Sequence, residues 1–307
     1  MKTTVILGAN GRLGNEALQA FAKTDHKVIA ITRNAEVRNL PRGVEVRAAD
    51  ILNQTQLIDA TKGADIIVNM AHPIYTKWTE QMMLQSKNIL AAAKVHKATH
   101  LFPGNIYSYG ASMPTECTEK TPFKANTKKG MIRQEVEALF AHESAVKTVI
   151  IRAGDFYGGT GVGSWFDLVV TKKLHKGIFT YPSAQGIPHA WAYLPDLANT
   201  FVKMTEHLDE LPNFSQWLFE GHTFTSQQMQ EHIEQILGKK LKSSTVPWKL
   251  LKCIGLVSPM MREVCEMAYL WKRPHSLNGS KLSALLKGVP NTPPNRAIQK
   301  AILQLNQ

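Results

Sequence analysis

Cysteine is scarce. The 307 residues hold three, Cys117, Cys253 and Cys265, and no two form a CxxC pair. Neither a zinc knuckle nor a disulfide framework is expected, and the thiols read as reduced. Long apolar runs are missing too. No stretch of roughly 18 uncharged apolar residues occurs, so no integral membrane segment is expected. The nearest candidate, Cys253 to Met261, is short and contains Pro259. The N-terminal triplet Val5-Ile6-Leu7 is too short for a signal-peptide core and runs straight into a glycine turn, which points to a cytoplasmic protein. No His/Asp/Glu cluster has the spacing of a metal site, so no metal is expected. Repeats and low-complexity tracts are absent as well.

Acidic residues are the last shortage: 24 against 36 lysines and arginines, a formal charge of +12. Such a surface attracts an anionic small molecule, a nucleic acid or an anionic membrane. The basic residues are dispersed, without a helix-turn-helix or zinc pattern, so nucleic acid is not expected. The amphipathic stretch Trp248 to Trp271 raises the membrane reading, and burial against the core is the simpler account.

What is present is a rhythm. Short β-rich runs (Thr3 to Leu7, Val28 to Thr32, Val44 to Ala48, Asp65 to Met70, His100 to Pro103, Thr148 to Arg152) alternate with helical patterns (Asn10 to Lys23, around Ile58, Gln81 to His96, Gly130 to His142). Strands alternating with helices of this length predict βαβ units, and the right-handed crossover makes them a doubly wound parallel α/β sheet of the Rossmann type. After Arg152 the rhythm breaks. Residues 154–164 read as a glycine-rich loop, Val169 to His175 as a helix, and Asp196 as the N-cap of a helix from Leu197 to His207. Proline-marked turns then punctuate a smaller, mainly helical lobe. The division expected is a core over 1–205, with an insertion near 159–188, and a substrate-covering lobe over 206–307.

The first strand leads into Gly8-Ala9-Asn10-Gly11-Arg12-Leu13-Gly14 and a helix. Glycine at this spacing lets the backbone turn sharply and approach a pyrophosphate, and it lets helix and strand pack closely. The helix start then offers free N–H groups to the phosphates. A dinucleotide is therefore expected here, held by Gly8, Asn10, Gly11, Arg12, Leu13 and Gly14. An acid at the end of the second strand would grip the ribose hydroxyls of NAD. The chain reads Ile31-Thr32-Arg33-Asn34 instead. Arg33, with Arg12 reaching the same place, suits a 2′-phosphate, so NADP(H) is favoured while NAD(H) stays possible.

Taken together, these residues resemble the extended short-chain dehydrogenase/reductase superfamily, the group of nucleotide-sugar epimerases and dehydratases. The likeness spans most of residues 1–205. It rests on the glycine turn, on Ala49-Asp50-Ile51, on Val68-Asn69-Met70-Ala71-His72 and on Tyr109-Gly110. It continues through Ile151-Arg152-Ala153-Gly154-Asp155-Phe156-Tyr157-Gly158 and Trp191-Ala192-Tyr193-Leu194-Pro195-Asp196-Leu197-Ala198. The resemblance implies adenine contacts at Asp50 and Ile51 and cofactor-cleft positions at Met70, Ala71 and His72. It also implies a homodimer built on the helices after the fourth and fifth strands.

The chain departs from the superfamily where the chemistry is done. A Ser or Thr and a Tyr-x-x-x-Lys are usual there; Asn105 stands at the serine position, Lys129 at the tyrosine and Arg133 at the lysine. Strand parity puts Asn105 and Tyr107 on one side. Tyr107 or Lys129 is then the candidate proton donor, Asn105 a hydrogen-bond donor to a carbonyl oxygen, and Arg133 a holder of ribose or phosphate. The aromatics Tyr107 and Tyr109 read equally as packing residues. Tyr157, Trp165, His189 and Trp191 are candidates for a substrate pocket. Two functions follow: an NAD(P)-dependent oxidoreductase reducing a carbonyl or activated double bond of a small molecule, or a non-catalytic NAD(P)-sensing regulator.

Overall fold

The computed structural model describes residues 1–305. Its centre is a sheet of seven parallel strands. These are β1 (Thr3–Leu7), β2 (Lys27–Thr32), β3 (Glu45–Ala48), β4 (Ile66–Asn69), β5 (Thr99–Gly104), β7 (Thr148–Arg152) and β11 (Phe214–Leu218). Their order is β11-β7-β5-β4-β1-β2-β3. The two-residue β6 (Glu116–Cys117) pairs with β14 (Ser276–Leu277) outside it. A parallel sheet covered on both faces needs apolar side chains on both, and TTVIL, KVIAIT and TVIIR supply them. Alternate residues divide between two cores. Ile6, Ala30, Val68, Val149 and Ile151 meet α1 (Arg12–Phe21) and α5 (Leu194–Met204) on one face. Val5, Leu7, Ile29, Ile67 and Ile150 meet α2 (Gln54–Ala60), α3 (Trp78–His96) and α4 (Lys128–His142) on the other. The doubly wound reading holds, and the strand order reverses between β1 and β4. Such a fold opens a crevice at that point, outside the carboxyl ends of the strands.

Past Arg152 the structure differs from the sequence expectations. The glycine-rich segment contains β8 (Asp155–Tyr157), which joins β10 (His189–Tyr193) and β12 (His222–Phe224) in a three-stranded sheet. The helix expected over Val169 to His175 is a π-helical turn, Phe166–Val170, followed by a 3₁₀ turn, Leu174–Lys176. Asp196 is not an N-cap. Pro195 fits the first turn of a helix, so α5 begins at Leu194, and the Asp196 carboxylate instead accepts from Thr292 N–H and Oγ1 at 2.6 and 2.8 Å.

The smaller lobe is woven from both stretches of chain. β9 (Ile178–Tyr181) pairs with β13 (Lys242–Thr245), and the helices α6 (Ser226–Leu237) and α10 (Pro294–Gln304) close over an aromatic core. β11, which lies beyond residue 205, finishes the main sheet, with α9 (Ser280–Leu285) packed near it. Of the amphipathic stretch, Met267, Ala268, Leu270 and Trp271 are buried, whereas the hairpin of α7 (Trp248–Gly255) and α8 (Pro259–Glu266) stands outside the core. No helix among the described residues is long and apolar enough to cross a membrane.

Candidate active site

The glycine turn closes on itself, Gly11 N–H donating to Gly8 O at 2.8 Å. Gly8 has φ +75°, and a Cβ there would stand 2.7 Å from the Ala71 nitrogen. A Cβ on Gly14 would fall 2.0 Å from Gly8 O. The spacing thus serves three needs: a left-handed turn, contact with the segment after β4, and contact of helix with strand. No side chain caps α1, so the amides of Arg12, Leu13 and Gly14 open at the carboxyl end of β1.

Around this turn the expected cofactor residues take different tasks. Asn10 tethers the segment after β2: its Nδ2 donates to Glu36 O at 2.8 Å and its Oδ1 accepts from Arg38 N–H at 2.9 Å. Arg33 is exposed at the end of β2, beside Thr32, whose buried Oγ1 has no hydrogen-bond partner. Arg12 does not share Arg33's place, a correction to the expectation that both reach one phosphate. Its guanidinium donates to Gly158 O at 2.7 Å and pairs with Asp167 at 3.1 Å. The cause is Asp167 itself, a buried carboxylate that also accepts from Gly163 and Ser164 N–H and calls for a cation. Burial lowers the pKa of Arg12, while Asp167 and Glu16 oppose that. Asp50 is half-buried and accepts from Leu52 N–H at 3.0 Å, and the Ile51 carbonyl accepts from Asn88 at 3.0 Å. After β4, Met70 is buried, the Ala71 carbonyl accepts from Gln85 at 2.9 Å, and His72 lies exposed with its ring 4.8 Å from Trp78.

Strand parity does not govern Asn105 and Tyr107, because β5 ends at Gly104 and a 3₁₀ turn begins at Tyr107. Asn105 Oδ1 accepts from Tyr107 N–H at 3.1 Å, which folds the turn back. The phenol of Tyr107 meets that of Tyr75, oxygen to oxygen at 2.7 Å. Tyr75 went unseen in the sequence; its only signal was a tyrosine three residues past His72. Burial pushes its pKa up to about 12 against the pull of the bond to Tyr107, and burial raises Tyr107 as well. The charge of Asp155 adds to both shifts.

Thr127 caps α4 by accepting from Gly130 N–H at 3.1 Å, and this sets Lys129 and Arg133. Lys129 is buried, with Nζ 5.1 Å from the centre of the Tyr75 ring. It donates to Glu266 at 2.6 Å and to Glu263, so the structure makes it a tie between α4 and α8 where the sequence suggested a free proton donor. Arg133 donates to Pro103 O at 2.7 Å and lies over Phe102 at 4.5 Å, its pKa lowered by burial to about 10. Its Nε is buried without a partner. Beneath them Arg152, wholly buried, grips Glu137 with Nη2–Oε2 at 2.6 Å, takes Gln216 at 2.7 Å and donates to the Asn105 carbonyl. Periodicity shows Arg152 and Glu137 only as strand and helix residues.

The expected substrate residues are mostly core. Tyr157, His189 and Trp191 are fully buried. Tyr157 bonds His222 at 2.6 Å, Trp191 bonds Tyr181 at 3.0 Å, and His189 stacks on Trp271 at 3.8 Å. Trp165 is half-buried against Trp248 and Trp271. Asp155, bonded to His189 at 2.6 Å, stays partly exposed. No group of His, Cys, Asp and Glu among the described residues is placed to hold a metal.

A parallel sheet whose strand order reverses between β1 and β4, with a glycine turn at the carboxyl end of β1 leading into an uncapped helix, defines a Rossmann protein. Residues 1–285 match the profile of the NmrA-like family, and the chain belongs to that family. No curated protein matches it in sequence. Solved structures match along the whole length. A UDP-glucose 4-epimerase of Thermotoga maritima, solved with UDP-glucose, has TM-score 0.79 at 13% identity, covering 100% of this chain and 99% of that one. WbmH of Bordetella bronchiseptica, solved with NAD+, has 0.77 at 14%, covering 100% and 99%. L-threonine dehydrogenase of Clostridium difficile has 0.78 at 18%, covering 99% and 97%. At such identities the likeness is one of fold.

Proposed function

We propose that this protein is an NADPH-dependent reductase of a small molecule carrying a carbonyl or an activated double bond, with Tyr107 as proton donor. The observation that carries the reading is the Tyr75–Tyr107 hydroxyl pair, 2.7 Å apart, at the carboxyl ends of β4 and β5. The residues around the crevice fit a dinucleotide. The uncapped start of α1 would hold the pyrophosphate, the unpartnered Thr32 hydroxyl the adenosine ribose, and exposed Arg33 a 2′-phosphate. WbmH, of the same fold, was solved with NAD+.

When bound, the nicotinamide supplies a hydride to the substrate carbon. The chain's own residues do the rest. Asn105 Oδ1 is spent on Tyr107 N–H, which leaves its Nδ2 to donate to the carbonyl oxygen. Tyr107 gives that oxygen its phenolic proton, and Tyr75, itself protonated, donates to the phenolate left behind. Both phenols have pKa values above the ordinary 10, so at neutral pH they hold protons to give; this suits reduction better than proton abstraction.

NADPH oxidation against a panel of aldehydes, ketones and enones tests this. Tyr107→Phe is expected to lower kcat by about 100-fold or more. Full turnover in Tyr107→Phe overturns the assignment; Lys129→Met, which only unties α4 from α8, should keep most of its kcat. Calorimetry with Arg33→Ala tests the cofactor: NADPH should weaken roughly tenfold or more while NADH stays unchanged. Tight nucleotide binding without turnover on any substrate would favour the sensing regulator, a reading the capture of Lys129 by Glu263 and Glu266 supports. A cytoplasmic homodimer through α3 and α4 belongs to the same proposal, and sedimentation velocity tests it.

A further inference from the structure

The α7–α8 hairpin combines two features that the crevice does not explain. Its tip carries large apolar side chains in water: Leu256 is 78% exposed and Val257 85%, with Leu250, Ile254 and Met260 exposed beside them. Contiguous exposed apolar side chains on a soluble chain mark a contact. The tip is held in shape. Arg262 donates to the carbonyls of Gly255 and Leu256, and Ser258 accepts from Met261 N–H to cap α8. The base is anchored as well, by Glu263 and Glu266 on Lys129 and by Trp248 Nε1 donating to Pro182 O at 2.8 Å. The tip is thus a rigid projection.

The second feature is charge. Between residues 248 and 273 the basic residues are Lys249, Lys252, Arg262, Lys272 and Arg273, and the only acids are Glu263 and Glu266. Both acids are spent on Lys129. Among the described residues, Lys249, Lys252, Lys272 and Arg273 are exposed and make no ion pair. The whole chain adds its net charge of +12.

We infer that this hairpin docks on an anionic lipid surface. Leu256 and Val257 enter the boundary between headgroups and acyl chains, and the flanking lysines lie against the headgroup charge. A convex apolar tip between cations of one sign fits a deformable anionic sheet; a folded protein partner would have to offer a groove with acids on both rims. Docking also places the crevice at the membrane, because Glu266 of α8 binds Lys129, which lies over Tyr75. The inference stands whether or not the reductase reading holds.

Flotation of the full-length protein with phosphatidylcholine vesicles, with and without phosphatidylglycerol, decides it. The protein should float with the anionic vesicles only and be released by high salt. The double variant Leu256→Asp/Val257→Asp should bind at least about tenfold more weakly. Lys249→Gln and Lys252→Gln should each weaken binding roughly fivefold. An unchanged urea midpoint in the variants shows that they fold. Absence of flotation by the wild type, or undiminished flotation of the double aspartate variant, overturns the inference. So does a wild-type dimer that this variant splits to monomers in sedimentation, which would make the tip a contact between copies.

Discussion

Glu137→Gln is the substitution on which the structure speaks most sharply. Glu137 and Arg152 have side chains 1% and 0% exposed, joined by bonds of 2.6 and 3.2 Å. The guanidinium also donates to Gln216 at 2.7 Å and to the Asn105 carbonyl, and it lies beside the rings of Tyr109 and Phe123, 5.2 and 5.0 Å from their centres. Neutralising the carboxylate leaves a full positive charge with no counter-charge in the core, which costs about 3–5 kcal/mol. Set against a total stability of about 5–15 kcal/mol, that is a large fraction. Removing both charges together as Glu137→Met/Arg152→Met removes the pair without stranding either partner, and buried Arg133 beside it loses the attraction of Glu137 and the repulsion of Arg152 together. The double substitution abandons the Gln216 and Asn105 acceptors, at about 1–3 kcal/mol. The double variant should therefore be more stable than Glu137→Gln, and the urea midpoints of Glu137→Gln, Glu137→Met, Arg152→Met and the double measure this directly. On the proposed reductase reading, Glu137→Met and Arg152→Met should also lose turnover, because Arg152 holds the turn that carries Asn105 and Tyr107. A loss under about 1 kcal/mol in Glu137→Gln, or a double variant as costly as the sum of its parts, would refute the reasoning.

Gly14→Ala drives a Cβ to 2.0 Å from Gly8 O, so the glycine turn must open; calorimetry should show nucleotide affinity down by about 100-fold, and unchanged affinity would refute the close approach. Burial lowers the pKa of His100 and of His275 to about 3, with His189 adding to the shift at His275. Folded pKa values below the unfolded one mean that their contribution is complete above about pH 6.5 and is lost as pH falls toward 3. Urea midpoints taken downward from neutral pH should fall steadily, and His100→Gln should flatten part of the slope; a flat wild-type profile would refute it. His100 also approaches Thr148 Oγ1 at 3.3 Å, so the variant carries a cost at neutral pH as well.

The first half of the fold was legible because its code is local. Apolar runs of strand length, helical periodicity between them and a glycine turn at one spacing lead to the same sheet whatever surrounds them, and β1 to β5, β7 and α1 to α4 lie where the pattern puts them. The turn's purpose was legible for the same reason: where a Cβ would strike backbone, as at Gly8 and Gly14, only glycine serves. Beyond Arg152 the local code weakens. β8 has three residues, β12 has three, and β11, at a sheet edge, reads Phe-Ser-Gln-Trp-Leu without alternation, so none shows a period before its partner is known. The site was decided almost wholly in three dimensions. Tyr75 and Tyr107 lie 32 positions apart and meet because a βαβ crossover returns the chain to one end of the sheet; Arg12 and Asp167 lie 155 apart and Lys129 and Glu266 137, and these meet because segments past Arg152 pack back against that end. A side chain's role depends on what fills the space around it. Sequence offered Lys129, beside Tyr107, as a candidate proton donor from its position; the two carboxylates of α8, brought from the far end of the chain, tie it to that helix.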